Sequence, residues 1–283
     1  MIDTAVQRAR PARQPIAVAQ IARGDYLRSF IGLIARDSRV LVRNLGEFLG
    51  QVIIQPVLFV FVFGYVFPKI NQNFGGQANF ATLLLPGLIA TSAVFTGISS
   101  VAQPLAIDLG VLREIEDRVM APMPVWLVGM EKVLFGAVQS MLAGLIVFPL
   151  AYFIPATSVT VHVHNWWLLI AVGVLTCLTS GALGLFLGSA IRPDQIGVMY
   201  GILVVPLTFL GCVYFPWRAL SSIAWLHILV LINPLVYASE GMRAALTPQV
   251  PHMQTVVFLL AATGICLLLL VSGLRLFIRR VLM

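Results

Sequence analysis

The stretch LAIDLGVLREIEDRVMAPMPVWLVGMEKVL, residues 105–134, is charged and compatible with a helix, and it lies between two long apolar runs. The whole chain has 18 Lys and Arg residues and 11 Asp and Glu residues, and six of these fall between Asp108 and Arg118. In a helix, the apolar residues of this stretch gather on one side and the charged residues occupy the rest. Pro122 and Pro124 end that helix before the next apolar run begins. The pattern predicts a short amphipathic helix that is presented to a soluble partner.

The composition indicates a membrane protein. The chain has 283 residues, of which 59% are hydrophobic and only 10% are charged, and its mean hydropathy is +0.96. A soluble domain has about 25% charged residues. The excess of base over acid would favour a nucleic-acid partner in a soluble protein, but here we expect none. The three cysteines lie in apolar runs without metal-type spacing, so neither a disulfide framework nor a zinc site is predicted.

Six apolar runs are long enough to cross a bilayer, which takes about 20 residues of helix. A further stretch, 218–247, consists of two half-length helical pieces separated by Asn233-Pro234, which favours a re-entrant hairpin over a seventh span. The predicted fold is therefore an all-α polytopic membrane protein with six transmembrane helices and a re-entrant helical hairpin before the last span. The predicted spans are 48–67, 81–106, 125–154, 166–191, 197–217 and 255–277.

The amino-terminal region divides into two parts. Residues 1–24 form a basic tail without the apolar segment of a signal peptide. Residues 25–47 have apolar residues at helical spacing with arginines largely elsewhere, which predicts an amphipathic interfacial helix in the headgroup plane. Two interpretations stay open for this helix: contact with lipid and water alone, or direct contact with the partner. Its arginines are Arg28, Arg36, Arg39 and Arg43.

The distribution of positive charge orients the predicted spans. With six spans and the amino terminus inside, fifteen Lys and Arg residues lie on the cytoplasmic side and three lie outside. Counting 218–247 as a span would place Arg275, Arg279 and Arg280 outside, against the positive-inside rule. We therefore expect both termini, and the helix at 107–124, to be cytoplasmic.

Polar and small residues within the predicted membrane region are candidates for function or for packing. One stripe of the second span is polar and is expected to meet protein or water rather than lipid. Glu240 and Arg243 lie in the hairpin at i and i+3, where they either serve function or neutralise each other. Gly184 and Gly188 permit close helix approach, which favours packing within the chain over a dimer contact. The candidates for a substrate path or gate are Ser92, Thr96, Ser99, Gln103, Glu240 and Arg243.

Several chemistries lack support in the sequence. No set of residues suited to catalysis occurs, and neither Lys69 nor Lys132 has the neighbours that a phosphate-binding loop requires. His162 and His164 have no third partner that would complete a metal site. The spans lack the buried charge relay expected of an ion-driven carrier. The chain is therefore not expected to be an enzyme or to bind a cofactor. If the protein is a pump, the energy for transport must come from a partner.

The chain resembles the membrane subunit, or permease, of ABC-2 type exporters over most of its length. The local matches are VLREIEDRVMAPMPVWLVGMEKVL at 111–134 and FPWRALSSIAWLHILVLINPLVYASEGMRAAL at 215–246. The family has an amphipathic cytoplasmic helix, six spans, a coupling helix between spans two and three, and a re-entrant hairpin before span six. The resemblance implies that residues 48–283 are the ABC-2 transmembrane domain and 107–124 the coupling helix.

The resemblance also implies partners and a location. The permease would be a multi-pass protein of the cytoplasmic (inner) membrane of a prokaryote, paired with a second copy, with a homodimer favoured and a heterodimer open. Each permease would dock on a separate cytoplasmic ABC ATPase, which would hold ATP and magnesium, and would contact membrane lipids. The residues implied in docking are Arg113, Glu114, Glu116, Asp117, Arg118 and Met120.

The implied function is ATP-driven export of an amphiphilic or hydrophobic substrate, such as a drug, lipid or glycolipid. The predicted path helices are mainly aliphatic with Ser and Thr, which favours such a cargo. Export of a lipid-linked polysaccharide is the alternative within the family, and an aromatic-lined channel would favour it. An ion-coupled secondary transporter and a membrane-embedded enzyme are the alternatives from other classes.

Overall fold

The computed structural model describes residues 23–66, 69, 80–112, 124–153, 163 and 165–282. Within these ranges the chain forms nine α-helices and no β-strand, which confirms the all-α fold class. The helices are α1 (Arg23–Arg43), α2 (Leu45–Val60), α3 (Phe80–Ile107), α4 (Val125–Phe153), α5 (Trp166–Ala190), α6 (Ile196–Phe209), α7 (Ala224–Leu229), α8 (Pro234–Leu246) and α9 (Thr255–Leu282).

Four of these helices, α3, α4, α5 and α9, are long and apolar enough to cross a membrane. The helix α2 has 16 residues and continues into a π-helix at Phe61–Val66. The helix α6 has 14 residues and ends at Phe209, so the expected continuous span 197–217 is interrupted. The cause is local: Cys212 has a left-handed φ of 51°, and a Cβ at Gly211 would lie 2.5 Å from a side-chain atom of Leu235.

The helix α3 is the centre of the bundle. It packs against α4, α5 and α8. In its most apolar stretch 83% is buried, whereas the corresponding fraction for α9 is 17%. The side chains of Leu84, Ile98 and Leu105 have 1% exposure or less. An apolar helix that is buried on most sides belongs to the interior, whereas an apolar exposed helix faces lipid or another subunit. The part of the α3 surface that its neighbours leave uncovered is therefore a candidate for a functional site.

Glycines on α5 allow it to approach α3 closely. A Cβ at Gly184 would lie 2.9 Å from the Ile98 carbonyl oxygen, and one at Gly188 would lie 3.0 Å from the Ala102 Cα. Close backbone contact of this kind is what small residues at helix interfaces permit. The prediction that these glycines serve packing within the chain is confirmed.

The short helix α8 is buried along its whole length, from Leu235 to Leu246. Its amino end is defined by Asn233, whose side-chain oxygen accepts a hydrogen bond from the Leu235 N–H at 2.9 Å, and by Pro234 in the first turn. The Asn233 amide also donates to the Leu207 carbonyl at 2.9 Å. The pair Asn233-Pro234 therefore begins α8, and the hydrogen bond of Asn233 to Leu207 links α8 to α6.

The carboxyl end of α5 receives a cap from the last helix. The Arg280 Nη1 donates to the carbonyl oxygens of Ser189 at 2.9 Å and Ile191 at 2.7 Å. The last carbonyls of a helix have no partner within the helix and carry its negative dipole end. A guanidinium placed there satisfies both needs, and it links α9 to α5.

Candidate functional site

A polar cavity lies beside α3 where the sequence predicts a polar stripe. Its volume is about 730 Å³, and it lies between α2, α3 and α4. The four stripe residues all line it, which brings the expected path residues of this span together. They are Ser92, Thr96, Ser99 and Gln103.

The apolar lining of this cavity comes from both α2 and α3. The α2 contribution includes Val52 and Pro56, which are buried against the bundle. The α3 contribution includes Phe95 and Pro104. The cavity therefore combines apolar walls with a row of hydroxyl and amide groups, which is the usual composition of a small-molecule site.

A second cavity of about 400 Å³ continues the first toward α1. The two share five lining residues and are therefore adjacent, and we name them together the α2–α3–α4 chamber. The second part adds ionic side chains from α1, α2 and α4, namely Arg36, Asp37, Glu47 and Lys132. The shared residues are Phe48, Ser100, Pro104, Asp108 and Gln139.

An ion pair joins α1 to α4 at this end of the chamber. The Lys132 Nζ donates to the Asp37 carboxylate, and both side chains are about nine-tenths buried. The Glu131 carboxylate, which is fully buried, lies 3.7 Å from the same Nζ. The sequence predicts no buried charge relay in the spans, but the structure buries the ionisable groups of Asp37, Glu131 and Lys132 together where α1 meets the start of α4. Two adjacent charged residues inside a predicted span were a signal that could have found this cluster.

The amphipathic pattern of α1 matches its surroundings in the structure. Its four predicted interfacial arginines, Arg28, Arg36, Arg39 and Arg43, are exposed. Tyr26, Phe30 and Leu33 pack against an apolar cluster that includes Leu105 and Phe277. Tyr26, Phe30 and Leu33 therefore hold one side of α1 against the bundle. Arg36, although exposed, also lines the second cavity.

Glu240 and Arg243 form a fully buried ion pair in α8. The Arg243 Nη1 lies 2.5 Å from the Glu240 Oε1, as the i and i+3 spacing predicts for mutual neutralisation. Glu240 also accepts hydrogen bonds from the Trp217 N–H at 2.9 Å and from the Met253 N–H at 2.7 Å. Arg243 donates to the Cys212 carbonyl at 3.0 Å. The pair ties α8 to three separate segments, and it lies apart from the chamber; its role as a gate stays a prediction.

The predicted docking segment falls outside the described residues. Arg113, Glu114, Glu116, Asp117, Arg118 and Met120 belong to this segment. The described chain approaches it from both sides, since α3 continues as a π-helix at Asp108–Leu112 and α4 begins at Val125. The segment therefore connects the carboxyl end of α3 with the amino end of α4.

The pattern of the sequence did not single out Gln139, Asp37 or Lys132, although all three line the chamber. Gln139 stands among apolar residues of α4, where one amide has little effect on hydropathy. Asp37 is an acid within the basic helix α1, between Arg36 and Arg39. A search for residues whose charge or polarity differs from that of their neighbours in each predicted helix would have found all three.

Comparisons with known proteins agree with this architecture. The family of ABC-2 type transporters matches residues 28–247, which is more than half of the chain. The inner membrane transport permease YadH of Escherichia coli K12 is 26% identical over 240 residues, which cover 79% of this chain and 88% of that protein. The protein of the same name in Shigella flexneri has the same identity and coverage.

The matched region includes most of α1, all of α2 to α8 and the whole chamber. The four long apolar helices are those of a membrane protein, and the family and the relative are both transporters. The chain therefore belongs to the ABC-2 type transporter family, as a transport permease.

Proposed function

We propose that this chain is the transmembrane subunit of an ATP-driven exporter, which moves an amphiphilic or hydrophobic substrate such as a drug, lipid or glycolipid out of the cytoplasm. The observation that carries the proposal is the cavity of about 730 Å³ beside the polar stripe of α3. Hydroxyl and amide groups next to apolar walls suit a substrate with one polar and one apolar part. Membership of a transporter family supports the same conclusion.

The energy for transport comes, in this proposal, from a separate cytoplasmic ABC ATPase that holds ATP and magnesium. The coupling helix at 107–124 would enter a groove of that subunit through residues Arg113 to Met120. The connection of this segment to α3 on one side and α4 on the other supports the proposal. A rigid element between two spans can transmit the closure of an ATPase pair to the helices that enclose the chamber.

The proposed topology has six spans in the inner membrane, with both termini cytoplasmic. The length of α2 supports a span, because residues 45–66 are helical once the π-helix is included, and about 20 residues suffice. The exposed arginines of α1 support a position in the headgroup plane. The helices α7 and α8, each shorter than a span, would form the re-entrant hairpin.

Ser92, Thr96, Ser99 and Gln103 would provide the polar side of the substrate path. A second permease copy, most simply an identical one, would complete the path. Glu240 and Arg243 stay candidates for a gate, because movement of α8 must either break or carry along their contacts with Trp217, Cys212 and Met253.

An ion-coupled carrier is the second candidate function, and one specific observation favours it. The charged groups of Asp37, Glu131 and Lys132 are buried together beside the chamber. Buried ionisable groups in a membrane protein are candidates for ion or proton pathways. This candidate requires transport that is driven by an ion gradient and needs no ATPase.

Affinity purification from the native membrane in mild detergent distinguishes the two candidates. We expect an ABC ATPase to co-purify with the wild-type chain and to be lost from the double variant Glu114→Lys with Asp117→Lys, because charge reversal removes the electrostatic match of a docking surface. Asp194→Lys is the matched control, since Asp194 is exposed in the connector between α5 and α6.

Retention of the ATPase by the double variant would contradict docking through 113–120. A wild-type chain that brings no ATPase under several mild conditions, and that transports only with an imposed ion gradient, would overturn the exporter in favour of the carrier.

A further inference from the structure

One face of α9, in the carboxyl-terminal half of the helix, is exposed. Leu267, Leu268 and Val271 on this face have 56%, 67% and 46% exposure. An apolar face of this kind on a helix that crosses a membrane contacts lipid or another protein. The three residues line an open groove, which we name the α9 groove, together with Ser272, Arg275, Leu276 and Arg279.

The α9 groove contains two arginines without a partner in the described chain. Arg275 and Arg279 are exposed, and they form no ion pair or hydrogen bond with any described residue. They are four positions apart, so they lie on the same side of the helix, one turn from each other. No acidic residue follows Glu240 in the sequence, so α9 itself offers no counter-charge. The groove therefore combines an apolar surface with two available positive charges.

Arg280 has a different role from these two arginines. It donates to the carbonyl oxygens of Ser189 and Ile191 at the end of α5. A helix turns by about 100° per residue, so Arg280 and Arg279 point to different sides of α9. The cap fixes the carboxyl end of α9 to α5, and it leaves Arg275 and Arg279 exposed in the groove.

The length of the groove matches one leaflet of a bilayer. From Leu267 to Arg279 the helix rises by about 18 Å, at about 1.5 Å per residue. The hydrocarbon core of a bilayer is about 30 Å thick, so one leaflet contributes about 15 Å. An acyl chain along Leu267, Leu268 and Val271 would place the phosphate of its head group beside the two guanidinium groups. Guanidinium groups bind phosphate through charge-assisted hydrogen bonds.

A second copy of the chain suits this surface less well than a lipid does. The two copies of a two-fold dimer in a membrane have the same orientation, so contact through the α9 groove would bring Arg275 and Arg279 of both copies together at one depth. Like charges at such a contact repel each other. A free phosphate ion would neutralise the arginines, but it would leave the apolar part of the groove uncovered.

We propose that the α9 groove binds an anionic phospholipid, with its acyl chain along Leu267, Leu268 and Val271 and its phosphate at Arg275 and Arg279. In the proposed topology this lipid belongs to the cytoplasmic leaflet. No described residue of α9 lines the α2–α3–α4 chamber, so the lipid site is separate from the proposed substrate path.

Quenching by brominated lipids measures binding at the groove itself. A bimane label is attached to the variant Val271→Cys, in which the three native cysteines are buried. The chain is reconstituted into mixtures of phosphatidylglycerol and phosphatidylcholine with the same acyl chains, with bromine on one lipid at a time. We expect the anionic lipid to bind about tenfold more tightly than the zwitterionic lipid, because both arginines attract its charge.

Substitution of the arginines tests the cause of this preference. Arg275→Gln and Arg279→Gln should each reduce the preference about threefold, and together they should abolish it, because each removes one positive charge. Arg275→Lys with Arg279→Lys should keep most of it, since lysine retains the charge. Arg218→Gln is the matched control, because Arg218 is exposed and lies outside α9.

A second label position tests whether the preference is local. Leu260 is 69% exposed, and it lies three helical turns from Val271 on the same side of α9. It is about 22 Å from Arg275 along the helix, which places it in the other leaflet. A label on Leu260→Cys should show no preference between the two lipids.

Three results would overturn the inference. They are equal binding of the two lipids at Val271→Cys, a preference that survives the loss of both arginines, and a label at Val271→Cys that neither lipid quenches while Leu260→Cys is quenched. The last result would show that protein covers the groove, as a second copy would. These measurements need no ATPase and no substrate, so their failure leaves the exporter standing. Failure to recruit an ATPase would likewise leave the lipid site standing.

Discussion

At the scale of single residues, Glu240 illustrates how the protein accommodates a buried charge. It is fully buried, and it accepts hydrogen bonds from two backbone N–H groups and from Arg243. A buried charge is tolerated only when such partners replace water. The stability of this part of the molecule therefore depends on the charge of Glu240 as well as on its shape.

The substitution Glu240→Gln keeps the size of this side chain and removes its charge. We expect the free energy of unfolding to fall by about 3–5 kcal/mol, because Arg243 is left buried without a counter-charge. Thermal unfolding of the purified chain in detergent measures the change as a lower Tm. Adding Arg243→Met should restore part of the loss, since it removes the uncompensated charge.

Asp194→Asn serves as the control for Glu240→Gln, because this carboxylate is exposed. A Tm of Glu240→Gln equal to that of the control would contradict a stabilising charge at position 240. A double variant less stable than the single one would contradict the reason that we give.

The sequence could predict the Glu240–Arg243 pair, because three residues of separation on a helix bring two side chains together. It could not predict the other partners of the pair. Trp217, Cys212 and Met253 lie between 13 and 31 residues away along the chain, and only tertiary packing brings them to α8. The same limit applies to the Lys132–Asp37 pair, whose members are 95 residues apart.

At the scale of elements, the close contact between α3 and α5 depends on glycines of α5, which have no side chain. A Cβ at Gly184 would lie 2.9 Å from both the Ile98 carbonyl oxygen and the Val101 Cβ. These atoms belong to the backbone or to a stiff β-branched residue, so they cannot move aside cheaply. The spacing of Gly184 and Gly188 predicts such a contact, but it does not identify the partner helix.

The substitution Gly184→Ala should push α5 away from α3. We expect a loss of about 1–3 kcal/mol in stability, because overpacking forces neighbouring backbones to shift. A lower Tm in detergent is the readout. Gly264→Ala on α9 is the matched control, since its added Cβ would meet no atom within 4 Å beyond the nearby backbone of α9 itself, and alanine favours a helix. Equal Tm values for the two variants would contradict tight α3–α5 packing.

At the scale of the whole molecule, composition and apolar length predict an all-helical membrane protein, and the structure agrees. They do not predict where each apolar run stops being helical. The helix α6 ends at Phe209 because of the turn at Gly211 and Cys212, and this turn has no mark in the hydropathy of the run. Likewise, the polar stripe of α3 is predictable, whereas the chamber it faces depends on where α2 and α4 lie.

Reporter fusions test the proposed topology. Green fluorescent protein fused after Met283 should fluoresce, and alkaline phosphatase at the same position should be inactive, because an even number of spans returns the chain to the cytoplasm. Alkaline phosphatase inserted after Gln249, between α8 and α9, should be active. Active phosphatase at both positions would show that an odd number of segments crosses the membrane and would overturn the six-span proposal.

The cap that Arg280 provides to α5 has a consequence in time. A chain is made from its amino end, and Arg280 follows Ser189 by 91 residues. At a synthesis rate of about 5–20 residues per second, the end of α5 waits roughly 5–20 seconds for its guanidinium. During that interval the last carbonyls of α5 must be hydrated or held by the insertion machinery. The carbonyl groups at the end of α5 therefore receive their hydrogen bonds from Arg280 only after the last turn of α9 has been synthesised.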